Sequence, residues 1–476
     1  MRRGGLAPAL AAVLVLAAAV ALAVTRDADD APPPSAAGDR ALARRAATPP
    51  ARARRPVDHL SALQRIADAN DGNRAAGSPG YAASARYVAG RLRAAGWSVR
   101  LQRFAFPFFD ERGEPALRLG GRRLTGVRTM QYSSGGSARG ALREVDPRRA
   151  GEDDERDAGC RASDFAGIRR GAVVLIERGT CRMRLKVENA EDAGALAAVI
   201  ANDGQPGRTE PISGSLGSPG TSIPSVFVSH ATGRVLAAGA GRPVDVTVRA
   251  VSERRATVNV IAESRGPSRA RSRQVVIAGA HLDSVPAGAG INDNGSGVAA
   301  LLRAAESLSG EGGKPLRLGF WGAEELGLLG SRHYVESLGA TERERIDAYL
   351  NLDMVGSGNG GRFVYAGDDE RSEELAAIAR RALDRAGVES ETTGLGAGSD
   401  HASFARVGVP VAGLFSGASA EKDEDQRRRW GGRAGEAFAR CYHRPCDRLS
   451  DIDRAALSEL GRAATATLRA LVRTPG

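Results

Sequence analysis

V-V-I-A-G-A-H-L-D-S-V-P-A-G-A-G-I-N-D-N-G-S-G, residues 275–297, changes character twice. It opens as a short apolar run, 275–278, that reads as a buried strand. It then passes His281 and a loop holding Asp293. A helix follows, with Val298, Leu301, Leu302 and Ala305 on its apolar face. The same rhythm continues on either side. Further strand candidates lie at 258–262, 316–320, 348–352 and 409–415. One more helix carries Leu375, Ile378, Ala379 and Ala382, with Ser372 expected as its N-cap and Gly387 as its stop. The last carries Leu457, Leu460, Ala464, Leu468 and Leu471. Strands alternating with helices predict an α/β fold, a mostly parallel central sheet flanked by helices on both faces.

Upstream the texture differs. Residues 57–100 read as helix, helix, strand: Tyr81, Ala85, Val88 and Leu92 share a helical face, and Gly96 stops it. From about 130 to 250 helical periods fade, Gly, Ser and Pro rise, and short β runs appear at 173–176, 197–200 and 226–228. The expected organisation is an α/β domain in two parts, 57–130 and 251–476, split by a mainly-β insert at 131–250. A chain of 476 residues exceeds what one core usually serves, which agrees with two domains.

The N-terminus has Arg2-Arg3, an uncharged apolar run and Ala21-Leu22-Ala23. Residues 1–24 read as a secretory signal or an uncleaved membrane anchor. Residues 25–56, rich in Ala, Pro and Arg, read as a disordered linker or propiece. The chain is therefore expected to be exported, either secreted or tethered at the cell surface. A membrane partner arises only if the first segment stays in place. Net charge is +11, but residues 1–56 contribute +5 of it, as nine Arg against four Asp. The remaining chain has no basic patch interleaved with aromatics, so nucleic acid is not an expected partner. Four cysteines in an exported chain imply two disulfides. Of the three pairings possible, the local ones, Cys160–Cys181 and Cys441–Cys446, are expected.

The ionisable residues fall where an α/β sheet places its chemistry, outside the carboxyl ends of strands. The segments are H-L-D-S at 281–284, N-D-N-G-S-G at 292–297, W-G-A-E-E at 321–325, N-L-D-M at 351–354 and C-Y-H-R-P-C-D at 441–447. Asp353 is the only acidic or basic residue of 348–355, and a carboxylate in apolar sequence needs a partner. Glu324 and Glu325 are adjacent like charges that a metal would compensate. Asp283 is a candidate to orient His281. Ser296 is expected to cap the following helix, freeing Asp293. His281, Asp293, Glu325, Asp353 and His443 form the N/O ligand set that two zinc ions sharing one carboxylate require, with Glu324 left over as a base.

These motifs resemble the secreted two-zinc aminopeptidases of the bacterial leucyl type, also called aminopeptidase S-like. The pattern Cys160…Gly179-Thr180-Cys181…Lys186…Asn189-Ala190…Gly194-Ala195 resembles the protease-associated domain, a layout similar to aminopeptidase Y. The resemblance implies that His281 and Asp353 bind one zinc, Glu325 and His443 the other, and that Asp293 bridges. It implies Glu324 as general base and Tyr442 as a donor to the tetrahedral intermediate. Met354 and Phe415 would line the pocket for the first side chain, and Asp400 would stand behind the ligands. Peptide or protein N-termini are the implied substrate. Some relatives carry Arg immediately before Ser-Asp-His, where this chain has Gly398. A carboxypeptidase or dipeptidase on the same fold, a non-catalytic receptor-like protein and a cyclising acyltransferase are the competing readings. The sequence does not decide on calcium modulation or oligomeric state.

Overall fold

A computed structural model of the chain describes residues 55–146, 157–264, 274–394, 396 and 398–474. The segment read as signal or anchor, 1–24, and nearly all of the linker lie outside the described residues. Helix Pro56–Asp68 starts at the last residue assigned to that linker. Pro56 opens it because the first turn needs no N–H there. Among the described residues no helix is long and apolar enough to cross a membrane.

Four strands form the middle of the sheet in the order Val411–Phe415, Ile346–Leu352, Val275–His281 and Leu316–Trp321, all parallel. Every residue of Val275–His281 is buried, which explains its unbroken apolar run. Alternate residues enter different cores. Val276, Ala278 and Ala280 pack with helices Pro56–Asp68, Pro79–Ala94, Gly295–Leu308, Glu370–Asp384 and Arg454–Arg473. Val275 and Ile277 pack on the opposite face with Trp321, Tyr334, Tyr349 and Phe404. The sheet thus has helices on both faces, as the strand and helix rhythm implied.

Antiparallel strands flank the parallel centre: Phe363–Ala366 pairs with Val411–Phe415, and Pro243–Glu263 pairs with Leu316–Trp321. Pro243–Glu263 also pairs with Ser98–Leu119 from Ser98↔Glu263 to Leu119↔Val244. This long ribbon carries the chain from the central sheet to the insert and back. The insert has parallel strands Gly136–Glu144, Val173–Glu177, Ala197–Ala201 and Ser225–Val228, with helices Met183–Asp192 and His230–Ala237. Two clusters of buried apolar residues, one of them shared with the adjoining Ser98–Leu119 ribbon, are separate from the core of the central sheet.

The insert's sequence pattern has a structural cause. Lys186 is fully buried and donates to the Ala158 carbonyl, while Asn189, one turn on, donates to the Gly159 carbonyl at 3.0 Å. Both hold the loop that bears Cys160. The disulfides pair Cys160 with Cys181 and Cys441 with Cys446.

Two cap expectations need correction. Helix Glu370–Asp384 is capped by Asp369, which accepts from the Ser372 amide, so Ser372 lies inside the helix. Helix Gly295–Leu308 is capped by Asn294, which accepts from Gly297 at 2.9 Å, not by Ser296. In each case a side chain one to three residues earlier reaches the free amides of the first turn.

Candidate active site

His281 ends its strand, Asp353 follows Leu352, and the Glu324–Glu325 pair follows Trp321. Three neighbouring parallel strands therefore deliver these side chains to one edge of the sheet. His443 arrives from the ring closed by Cys441–Cys446. Asp293 stands between the two imidazoles. Its Oδ1 lies 3.1 Å from His281 Nε2 and its Oδ2 lies 3.1 Å from His443 Nε2. His281 Nε2 is also 3.4 Å from Asp353 Oδ1 and 4.0 Å from Glu324 Oε2. His443 Nε2 is 3.0 Å from Glu325 Oε2. The structure brings all six residues together.

The pattern N-D-N-G-S-G now has a mechanical reading. Asn294 Nδ2 donates to Leu352 O at 2.9 Å, and Asn294 Oδ1 accepts from the Met354 amide at 3.2 Å. Ser296 Oγ accepts from Val355 at 2.9 Å, and Asn292 Oδ1 accepts from Gly356 at 3.2 Å. Alternate residues thus stitch this loop to the segment bearing Asp353, and Asp293 between them turns to the histidines. Ser399 Oγ donates to Asp353 Oδ2 at 2.6 Å, and Asn351 Nδ2 donates to Ser399 Oγ at 2.9 Å.

Asp283 serves more than the histidine it was expected to orient. His281 Nδ1 is 3.2 Å from the Asp283 main-chain carbonyl and 3.8 Å from its carboxylate. The carboxylate instead accepts the amides of Glu324 at 3.1 Å and Glu325 at 3.3 Å. Asp283 therefore orients the glutamate pair, while its backbone orients the histidine. Ala323, Leu328, Met354 and His443 all have positive φ, an uncommon conformation for residues with a Cβ. Such strained backbone concentrates at functional sites.

Four sequence-predicted residues lie around this centre. Tyr442 is half-buried and stacks on His443, ring centres 3.9 Å apart. Met354 is buried and Phe415 half-buried, its ring 6.2 Å from Phe363. Asp400 is fully buried, and burial pushes its carboxyl up to about 7. A Cβ at Gly398 would meet no atom within 4 Å.

The donor set suits a cation. Burial, with Asp293 adding, pushes Glu325 up to about 7, and burial raises Glu324 well above the usual carboxylate range. Burial opposes the His281 imidazolium, but Glu324 and Asp353 outweigh it and hold its pKa well above the ordinary value. Hydrogen bonds to Asp293 and Glu325 raise His443 to about 10. Carboxylates packed this closely call for positive charge, which a divalent ion supplies. Glu325 Oε1 and Asp353 Oδ1 are buried with no hydrogen-bond partner among the described residues. Donor atoms of His281, Asp293 and Glu325 converge within 4.8 Å, as do those of His281, Glu324 and Asp353. Within the first of these groups, Glu325 Oε2 makes its direct contact with His443 Nε2, at 3.0 Å.

Sequence reading missed Arg74 and Asp447. Both are buried and bond to the main chain around Asp293. Asp447 does stand in the C-Y-H-R-P-C-D segment, but a carboxylate serving backbone amides leaves no side-chain pattern to read.

Residues 259–468 match the model of peptidase family M28, and residues 147–236 match that of the PA domain. The probable lipoprotein aminopeptidase LpqL of Mycobacterium tuberculosis is 40% identical over 417 residues, covering 84% of this chain and 81% of that protein. An aminopeptidase of Pseudomonas aeruginosa is 38% identical over 421 residues, covering 84% and 77%. The structure of a zinc aminopeptidase from Bacillus subtilis aligns with a TM-score of 0.58 at 26% identity, covering 89% of this chain and 96% of that one. The chain belongs to peptidase family M28 and carries a PA domain. It is a metallo-aminopeptidase, a hydrolase acting on peptides.

Proposed function

We propose that this chain is an exported two-zinc aminopeptidase that removes N-terminal residues, with a preference for apolar ones. The observation that carries this reading is Asp293. Its two oxygens each face a different imidazole at 3.1 Å, and each imidazole has a further carboxylate beside it. His281 and Asp353 would hold one zinc, His443 and Glu325 the other, and Asp293 both. When bound, zinc supplies Lewis acidity and lowers the pKa of water toward about 7.

The chain's own residues supply the rest. Glu324 takes a proton from the attacking water and passes it to the leaving amine, so that one water is consumed per peptide bond cleaved. Its amide is fixed by Asp283, which keeps the carboxylate facing the site. Tyr442 donates its hydroxyl proton in a hydrogen bond to the developing oxyanion. Burial, reinforced by Asp293 and Glu325, raises its pKa above the usual phenol range, so it remains a donor. Met354 and Phe415 offer an apolar wall to the first side chain. Two disulfides, and the word lipoprotein in the name of the Mycobacterium tuberculosis relative, support export with secretion or surface tethering.

The test is hydrolysis of Leu-p-nitroanilide beside its N-acetyl form by zinc-loaded protein. The free-amine substrate should be cleaved and the blocked one spared. Cleavage of the blocked compound at a comparable rate would refute the aminopeptidase reading and favour an endopeptidase.

A further inference from the structure

We propose that Arg74 and Asp447 are positioning residues that clamp the loop carrying Asp293 from its two ends, an inference that rests on the bridging role given above to Asp293. Arg74 lies between helices Pro56–Asp68 and Pro79–Ala94, more than two hundred residues from the loop it serves. Its side chain is fully buried. Nε donates to Ala289 O at 2.8 Å, Nη2 donates to Gly290 O at 2.6 Å, and Nη1 donates to Leu282 O. Its backbone joins in: the Arg74 amide donates to Ser284 Oγ at 3.0 Å, and the Ser284 amide donates to Arg74 O at 3.3 Å. The segment it grips connects His281 to Asp293.

Asp447 holds the far end. Its Oδ1 accepts from the Asn292 amide at 2.6 Å and its Oδ2 accepts from the Asp293 amide at 3.0 Å. Because Asp447 adjoins Cys446, the ring that presents His443 is tied through it to the backbone of Asp293. The clamp has little slack. Gly290 has φ +59°, and a Cβ there would lie 2.3 Å from Asp293 O and 3.3 Å from Arg74 Nη2. Gly290 O also accepts from Gly295 at 3.0 Å, which closes the turn around Asp293.

The chemistry demands these residue types. Three carbonyls that diverge from one point match a planar guanidinium, whereas an ammonium offers a single centre. A buried charge is costly unless it is well bonded. Here the carbonyls bond it, and Asp447, Asp283, Asp293 and Glu325 surround it with negative charge. Two adjacent amides pointing the same way match one carboxylate. A shift of the loop would spoil both contacts of Asp293 at once, so the clamp acts on both zinc sites through one residue.

The experiment uses the full chain. Arg74→Lys and Asp447→Asn are each compared with wild type by calorimetric zinc titration after chelation, by thermal melting of the chelated protein, and by kcat and KM on Leu-p-nitroanilide. Orienting groups behind metal ligands typically change affinity about 10–100-fold. Folded variants should lose zinc affinity by that factor, lose kcat more than KM, and regain rate as zinc is raised. A folded Arg74→Lys or Asp447→Asn with wild-type zinc affinity and kcat overturns the proposal for that residue. Failure of both variants to fold also overturns it, since the pair would then serve folding alone. A wild-type chain that binds one zinc refutes the bridging reading itself, whatever the variants do.

Discussion

Replacing Asp283 by Asn changes one atom of a buried side chain. The native carboxylate accepts from Glu324 at 3.1 Å and from Glu325 at 3.3 Å. An Asn amide can accept only one of these and must turn its NH2 group toward the other N–H. One charge-assisted hydrogen bond is lost, worth roughly 1.5–3 kcal/mol. At about 1.4 kcal/mol per decade, that is a loss of about 10–100-fold in kcat/KM. The lost negative charge also weakens attraction for cations, so the two effects add on the zinc-loaded enzyme. Relief of carboxylate repulsion works the other way, on the chelated protein. Asp283→Asn should therefore melt near wild type when chelated and below it when zinc-loaded. Hydrolysis of Leu-p-nitroanilide at saturating zinc measures the kinetic effect. A folded variant with kcat/KM within twofold of wild type would show that the glutamate pair does not depend on Asp283.

Glu324→Gln should bind zinc like wild type yet lose about 10²–10⁴-fold in kcat, the usual scale for a general base. Because Glu324 also converges with His281 and Asp353, loss of a zinc ion in this variant would recast it as a ligand. Buried His59, whose Nδ1 lies 2.8 Å from the Tyr87 hydroxyl, has a pKa lowered to about 4, chiefly by burial. Above pH 6.5 neither folded nor unfolded chain protonates it. Between 6.5 and 4 only the unfolded chain does, so stability falls as pH drops through that window. From pH 7.5 to 5 the stability of wild type relative to His59→Leu should shrink by roughly 2 kcal/mol, from about 1.4 kcal/mol per pH unit. Equal gaps at the two pH values in chemical denaturation would contradict this.

Much of the fold was open to reading because burial leaves a trace in apolar spacing. The run at 275–278 is buried on both faces, and the helices repeat their aliphatic residues every three or four positions. The ionisable residues at strand ends could be picked out because each interrupts such a run. What escaped is bonding between a side chain and a distant backbone. Arg74 meets carbonyls more than two hundred residues away, and Asp447 meets amides about 155 away. Apart from Asp293, the residues they hold are Ala, Gly, Leu and Asn, types that announce nothing. The role of Asp283 was read only in part: its neighbour in sequence, His281, hid its further partners at Glu324 and Glu325. The caps Asn294 and Asp369 were passed over for Ser296 and Ser372, since residue type alone does not fix which of several polar residues turns back.

One carboxylate, Asp293, serves two metal ions in the proposed site. The most direct test is zinc titration of chelated wild-type protein beside Asp293→Asn, with metal content measured after removal of excess. The wild type should retain two zinc ions per chain, and Asp293→Asn should be weakened at both sites together, since His281 and His443 each lose the same partner. A wild type that retains one zinc, or an Asp293→Asn variant that holds both at wild-type affinity, would contradict the account.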